Sequence, residues 1–173
     1  MNRIRIPLKW PTYSYKCRIA VDRLLRRGGV LTAYRSNPKR QPGPTRGTWA
    51  WRLEREAERQ FKIKHAVALN SGTMAIMAAL KAHEFEPGEI ITSPFTFSAT
   101  AAACIFTGHR PVFTDVSTDG TLDPARIKKA INRFTRAILP VDLFGQMCDY
   151  AGLQAMHLPI IQDACQAVGA TYR

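Results

Sequence analysis

Apolar residues recur every fourth position in one stretch ahead of residue 65, and this spacing is typical of one face of an amphipathic helix. The residues on that face are Trp49, Leu53, Ala57 and Phe61. A shorter helical period, formed by Ile19, Ala20, Leu24 and Leu25, stops at Gly28-Gly29. Between these two helices, residues 36–48 contain three prolines, two glycines and no apolar residue, which predicts a loop or linker.

From residue 65 onward, short apolar runs alternate with helical stretches. Strands are predicted at 65–69, 89–92, 111–114, 137–141 and 158–162. Helices are predicted at 73–82, 98–106, from Asp123-Pro124 onward, and at 149–157. The helix at 73–82 is apolar almost all round, so we expect it to be buried. The one at 123 has an N-capping Asp and a first-position Pro, with Ile127, Ala130 and Ile131 facing inward. This alternation predicts an α/β fold with a mainly parallel sheet.

Length and composition fit an ordinary globular protein. The 173 residues suggest one domain, and 46% are apolar, which argues against disorder. No apolar run is long enough for a membrane span, and no secretory signal follows the N-terminal arginines. The four cysteines are widely spaced, so free thiols in a cytoplasmic protein are expected rather than a zinc site or disulfides.

The positive charge is concentrated in the first third of the chain. Residues 1–64 hold 17 Lys+Arg and 4 Asp+Glu, whereas residues 65–173 hold 8 and 9. A block of this kind can bind nucleic acid or an anionic membrane surface, form a solvated arm, or pack on another molecule. Aromatic residues are interleaved in it, as in nucleic-acid binders, but no known nucleic-acid-binding signature accompanies them.

Ligands of parallel sheets bind where the strands end, and three sequences follow predicted strands there. Asn70-Ser71-Gly72-Thr73 opens a helix and fits a phosphate site, although a plain capped turn is the preferred explanation for so short a segment alone. Phe95 and Phe97 point the same way in an extended segment, so one of them can stack on a planar ring. Core packing is the alternative, more for Phe95 than for Phe97.

Asp163 follows the last apolar run, and a buried carboxylate there needs a cationic partner. The candidates are a metal, an arginine or a protonated ring nitrogen, and Gln166 adds a second polar group three residues later. No histidine or second carboxylate nearby supports a metal. A phosphate site, an aromatic shelf and a buried carboxylate together suggest pyridoxal phosphate, whose ring nitrogen an aspartate keeps protonated.

At this point the sequence resembles the DegT/DnrJ/EryC1/StrS aminotransferases, fold-type I pyridoxal-phosphate enzymes that mostly aminate nucleotide-linked keto-sugars. The segments that carry the resemblance are HAVALNSGTMAIMAAL, PGEIITSPFTFSATAAA, GHRPVFTDV, TLDPARIKKAI, TRAILPVDLFGQ and IIQDACQAVGATY. They cover residues 65–173 in order, and Ile6-Pro7-Leu8 adds a weak match. The resemblance implies a three-layer fold with a mainly parallel sheet, like the large domain of the aspartate aminotransferase fold. In this chain that domain is expected to be incomplete. It divides the chain into a basic arm and linker at 1–48 and part of that domain at 49–173.

The resemblance also assigns roles to individual residues. Ser71, Gly72 and Thr73 would hold the cofactor phosphate, Phe97 would stack on the ring, Asp163 would pair with the pyridine nitrogen, and Gln166 would contact the 3-hydroxyl. Three residues depart from the family pattern: Asp142 replaces a histidine, Phe144 a tyrosine and Gln162 a common glutamate. These departures concern substrate contacts more than the cofactor site.

The family holds its cofactor on a lysine downstream of the aspartate. All eight lysines of this chain precede Asp163, and none matches that position. The chain is therefore expected to be the N-terminal half of such an enzyme, truncated or split, and inactive alone. It would work as a homodimer or with a complementing C-terminal half, on a nucleotide-linked keto-sugar and an amino-acid donor.

Two alternatives remain at this point. The chain is a non-catalytic module that binds the cofactor or a sugar nucleotide, or it binds nucleic acid through the basic residues 1–64. The sequence alone does not establish that the chain is an enzyme.

Overall fold

The computed structural model describes residues 15–26 and 48–172. They belong to two compact units, which divide between residues 68 and 69. The predicted helix stop at Gly28-Gly29 and nearly all of the predicted linker at 36–48 lie outside the described residues. Within the described part of the chain, no helix is both long and apolar enough to cross a membrane.

The first unit contains helices α1 (Tyr15–Arg26) and α2 (Trp49–Phe61), where both were predicted. Thr48 caps α2 by accepting a hydrogen bond from the Trp51 N–H at 3.3 Å. The large members of the apolar stripe, Trp49, Leu53 and Phe61, are exposed, whereas Ala50 and Glu54 are buried. The inward face of α2 is therefore the face that carries Glu54.

The strand predicted at 65–69 is not formed. The Glu54 carboxylate accepts the Ala68 N–H at 2.9 Å, and the Glu58 carboxylate accepts the Ala66 N–H at 3.2 Å. Two alternate N–H groups of the segment thus bond to side chains of α2 instead of a neighbouring strand. An apolar run alone is not enough, because a strand also requires a partner strand.

The second unit alternates strands and helices as predicted. Its elements are α3 (Gly72–Ala82), β1 (Glu89–Thr92), α4 (Ser98–Phe106), β2 (Arg110–Phe113), α5 (Pro124–Ala130), β3 (Thr135–Ile138), a 3₁₀ turn (Leu143–Gly145) and α6 (Tyr150–Gln154). The Asp123 carboxylate caps α5 by accepting the Ala125 N–H at 2.8 Å. The strands pair in the order β2-β1-β3, and both pairings are parallel.

The last predicted strand, at 158–162, is not regular. Ile160 forms an isolated parallel bridge with Ile138 of β3, and Asp163, just beyond the predicted strand, forms another with Val141. The segment lies beside β3 without becoming a regular strand. β3 itself is shorter than predicted and begins two residues earlier.

Helices cover both faces of the sheet, which makes three layers. Ile90 of β1 packs with Ile76 and Leu80 of α3 in one apolar cluster. Its neighbour Ile91 packs with Ile127 of α5 and other residues in a second cluster. Consecutive strand residues point to opposite faces, so one strand feeds both cores. The predicted α/β class is confirmed.

Helix α3 is less buried than its composition predicted. Ile76 and Leu80 are buried, but Met74 on the outer face is 43% exposed. Ala75 and Ala78 also lie on the exposed side. This almost wholly apolar helix therefore buries only one face. Small side chains occupy much of the exposed face.

Glu89 provides a test of the sheet, because its carboxylate is buried at the start of β1. The Asn132 amide donates to it at 2.8 Å and Arg110 pairs with it, and these two contacts lower the pKa of Glu89 against the opposing effect of burial. We expect Glu89→Gln to lower the free energy of unfolding at neutral pH by about 1 kcal/mol.

A lowered folded-state pKa stabilises the protein above the unfolded pKa, and this contribution is lost as the pH falls through the folded value. The difference in the free energy of unfolding between wild type and Glu89→Gln should therefore become smaller as the pH falls from neutral into the acid range. Urea unfolding at several pH values measures this difference. Exposed Glu86→Gln is the control. A difference that stays constant down to acid pH would contradict the prediction.

Candidate functional site

One cavity of about 310 Å³ in the second unit collects residues from the start of α3, from the segment after β1 and from the segment that begins at Asp163. All six residues predicted for the cofactor site line it: Ser71, Gly72, Thr73, Phe97, Asp163 and Gln166. Six others complete the lining: Ile76, Thr96, Ala99, Thr100, Val141 and Cys165. Segments 90 residues apart in the sequence thus meet in one pocket, because the ends of parallel strands share one edge of the sheet.

The N-terminus of α3 forms one wall. Ser71 is the N-cap, and its Oγ accepts the Met74 N–H at 3.2 Å. Gly72 and Thr73 precede Met74 in the same turn, where a helix offers N–H groups to an anion.

Gly72 has a steric reason to be glycine. A Cβ at this position would lie 2.8 Å from the Cys165 Sγ. The absence of a side chain therefore lets the loop after Asp163 approach the helix, in addition to any approach by a phosphate.

Asp163 is buried, with 7% of its surface exposed. Its Oδ2 accepts the Thr100 hydroxyl at 2.9 Å, and its Oδ1 accepts the Cys165 N–H at 3.2 Å. Among the described residues, no lysine or arginine forms an ion pair with it, and no group of three or more potential ligands is placed to hold a metal. A carboxylate has about four acceptor positions, so acceptor capacity remains for another donor.

Two neighbours of Asp163 were not anticipated from the sequence. Thr96 and Thr100 hydroxyls are 2.9 Å apart, so a chain of two hydroxyls ends on the carboxylate. Their spacing of four residues at the start of α4 was the available signal, but threonines in an alanine-rich helix usually bond to their own backbone. The Cys165 thiol bonds to the same carboxylate, which, with burial, raises the pKa of Cys165 and keeps it protonated.

Phenylalanines lie beside the pocket. Phe97 precedes α4 and is 73% exposed. Phe95 is half exposed and meets Phe144 edge-on at 6.4 Å between centroids, so the alternative of Phe95 as a core residue is wrong. Gln166 is placed by a backbone contact, since its Oε1 accepts the Phe144 N–H at 3.3 Å.

The architecture and the pocket agree with the fold-type I pyridoxal-phosphate aminotransferases. One solved member, NtdA from Bacillus subtilis with bound pyridoxamine phosphate, has a TM-score of 0.74 and 29% identity, over 89% of this chain and 34% of that chain. The model of the DegT/DnrJ/EryC1/StrS aminotransferase family matches residues 38–173, and the chain belongs to this family. The match extends the resemblance noted in the sequence to include α2.

Several relatives have names that describe polysaccharide or amino-sugar biosynthesis. The chain is 40% identical over 135 residues to the spore coat polysaccharide biosynthesis protein SpsC of Bacillus subtilis, covering 75% of this chain and 35% of that protein. It is 42% identical over 124 residues to a UDP-N-acetyl-3-dehydro-α-D-glucosamine 3-aminotransferase of Acidithiobacillus ferrooxidans, covering 68% and 34%. The chain spans about a third of the length of such relatives.

The contact between Gly72 and Cys165 can be tested by a double-mutant cycle. Gly72→Ala forces the thiol to rotate away, whereas the same change in a Cys165→Ala background meets no sulfur. We expect a coupling energy of about 1 kcal/mol in urea unfolding, with the double variant more stable than the sum of the single variants predicts. Gly108→Ala with Cys165→Ala is the control pair, since nothing lies within 4 Å of a Cβ at 108. Additive effects in the Gly72 cycle would disprove the contact.

Proposed function

We propose that residues 49–173 form the N-terminal part of the large domain of a pyridoxal-phosphate-dependent sugar aminotransferase. One observation carries the proposal: the six residues assigned to the cofactor by resemblance line a single pocket. Family membership supports it, because the family is pyridoxal-phosphate dependent.

The residues of the pocket fit the chemistry of the cofactor. The start of α3 offers N–H groups and the Ser71 and Thr73 hydroxyls to the phosphate. Asp163 has acceptor capacity left for a protonated ring nitrogen, and Thr100 and Cys165 hold its carboxylate by one bond to each oxygen. When bound, the cofactor supplies an electron-withdrawing ring that stabilises negative charge on the substrate.

Phe97 and Gln166 complete the proposed contacts. Phe97 has the exposure needed to lie against a planar ring. The Gln166 amide, whose oxygen is held by the Phe144 N–H, keeps its NH₂ group free to donate to the 3-hydroxyl oxygen. Asp163 and Gln166 would thus orient the ring by two different edges.

The substrates and partners follow from the relatives. We propose a nucleotide-linked keto-sugar as the amino acceptor and an amino acid as the donor, because the names of the relatives describe amino-sugar formation. Assembly as a homodimer or with a complementing C-terminal half is part of the same proposal. The cytoplasmic location expected from the thiols stays a prediction.

A non-catalytic role is favoured by one observation. Among the described residues, none of the twelve that line the pocket is a lysine. The amine that would hold the cofactor covalently and move the proton is therefore not among them. The chain by itself would bind the cofactor without carrying out amino transfer.

Binding is tested with pyridoxamine phosphate, because its amine cannot condense with lysines. We expect the 173-residue chain to bind it saturably by fluorescence titration, and Asp163→Asn to weaken binding about 10-fold, since an amide pairs poorly with the charged ring nitrogen. Asp149→Asn, which caps α6 outside the pocket, should bind like wild type. Absence of saturable binding by wild type, or equal binding by Asp163→Asn, would contradict the proposed site.

Catalysis is tested separately on the same protein. With pyridoxal phosphate, a keto-sugar nucleotide and glutamate, the purified chain should form no amino-sugar detectable by mass spectrometry, because no described lysine lines the pocket. A full-length family enzyme run in parallel shows that the assay works. Turnover that follows the concentration of this chain would overturn the expectation of inactivity and leave the cofactor site intact.

A further inference from the structure

Asp142 is a buried carboxylate that the proposed cofactor contacts do not use. It is fully inaccessible to solvent, and no described lysine or arginine pairs with it. Three groups donate to it instead: the Cys148 N–H at 2.9 Å, the Tyr150 hydroxyl at 3.0 and 3.2 Å, and the Gln162 amide at 2.5 Å. Such hydrogen bonds offset the cost of taking the carboxylate out of water.

Two departures from the family pattern meet at this carboxylate. Asp142 stands in place of a histidine and Gln162 in place of a glutamate, and their side chains bond to each other. A glutamate at 162 would place two carboxylates side by side. The amide at 162 thus fits the carboxylate at 142, and the two form an acceptor–donor pair in this chain.

Asp142 starts the loop 142–148, and its carboxylate also holds the other end of this loop. The Asp142 N–H donates to the Asp163 carbonyl at 3.0 Å, while its side chain holds the Cys148 N–H at the other end of the loop. Between these ends the backbone turns sharply, with φ of +54° at Phe144 and +84° at Gly145. Positive φ is unfavourable for a bulky residue, so a neighbouring constraint has to hold Phe144 in place.

The loop in turn places a residue of the pocket. The Phe144 N–H is the group that binds the Gln166 Oε1. The Phe144 ring is 81% exposed and adds only an edge contact to Phe95. The position of Phe144 thus depends on its backbone, and that backbone is held at both ends through Asp142.

The Tyr150 hydroxyl remains protonated over the physiological range. Burial, together with the Asp142 charge, raises the pKa of Tyr150. The Tyr150 hydroxyl can therefore donate to Asp142 at any pH at which the protein is used.

We propose that Asp142 is a positioning residue: its carboxylate fixes loop 142–148 so that the Phe144 amide orients Gln166 in the pocket. This inference rests on the proposed function, in which Gln166 contacts the cofactor ring. It assigns to Asp142 a role that acts through the loop and not through contact with the cofactor.

Hydrogen exchange followed by mass spectrometry tests the loop directly. In Asp142→Ala, amides of residues 143–148 should exchange about 10-fold faster than in wild type, while β1 and β3 stay unchanged. Asp142→Asn should restore most of the protection, because its oxygen still accepts the Cys148 N–H and the Gln162 amide can flip to accept its NH₂ group. Asp123→Ala, which removes a helix cap of α5, is the control for general loss of stability.

Affinity for pyridoxamine phosphate tests the link to the pocket. Asp142→Ala should bind about 5-fold more weakly, and Asp142→Asn and Asp123→Ala within about 2-fold of wild type. If Asp142→Ala does not fold, Tyr150→Phe, which removes one donor, should still speed exchange in the loop and weaken binding in the same direction.

The outcomes separate the two proposals. Failure of wild type to bind pyridoxamine phosphate refutes the proposed cofactor site, whereas the exchange result still decides the role of Asp142 in the loop. Unchanged exchange at 143–148 in folded Asp142→Ala (or in Tyr150→Phe where that variant replaces it), or a loss of affinity equal to that of Asp123→Ala, overturns the positioning role. Faster exchange with unchanged affinity overturns the link to Gln166.

Discussion

The parallel pairing of residues 160–163 with the chain after β3 is the constraint on which the site depends. The Asp163 N–H bonds to the Pro140 carbonyl at 2.9 Å, and the Asp142 N–H bonds back to the Asp163 carbonyl at 3.0 Å. These two bonds place the carboxylates of Asp142 and Asp163 on adjacent segments of the chain, at one edge of the sheet. Asp163 lines the pocket, whereas Asp142 is buried and accepts hydrogen bonds from Tyr150 and Gln162. One register therefore determines both the pocket and the loop that supports it.

The two carboxylates are kept in the protein interior by different means. Asp163 has hydroxyl, thiol and backbone donors from the chain and acceptor capacity left over. Asp142 also has three donors, but it is fully inaccessible to solvent and does not line the pocket. A carboxylate that lines a pocket is suited to a ligand, and one enclosed by its donors is suited to holding structure. The family pattern marks both positions, but only the contacts distinguish their roles.

Local signals predicted the elements of the second unit and failed where packing decides. The Asp123-Pro124 cap and the apolar run at β1 suffice to place α5 and β1. The apolar stripe on α2 does not mark the buried face of this helix, because the polar residue Glu54 is buried and accepts the Ala68 N–H. Thr100 was missed because its partner Asp163 is 63 residues away, and nothing in the local pattern of α4 points to that contact.

Gly72 shows how a correct residue assignment can rest on an incomplete reason. A glycine at a helix N-terminus suggests close approach of a phosphate, yet the Cys165 sulfur already occupies the space that a side chain would need. The glycine alone thus gives little evidence of an anion. The stronger evidence is positional, because the turn that holds Gly72 and the carboxylate of Asp163 line the same pocket. A ligand with a phosphate at one end and a basic nitrogen elsewhere would meet both of them there. Cys165 then connects the two walls, since its sulfur adjoins Gly72 and its amide and thiol bind Asp163.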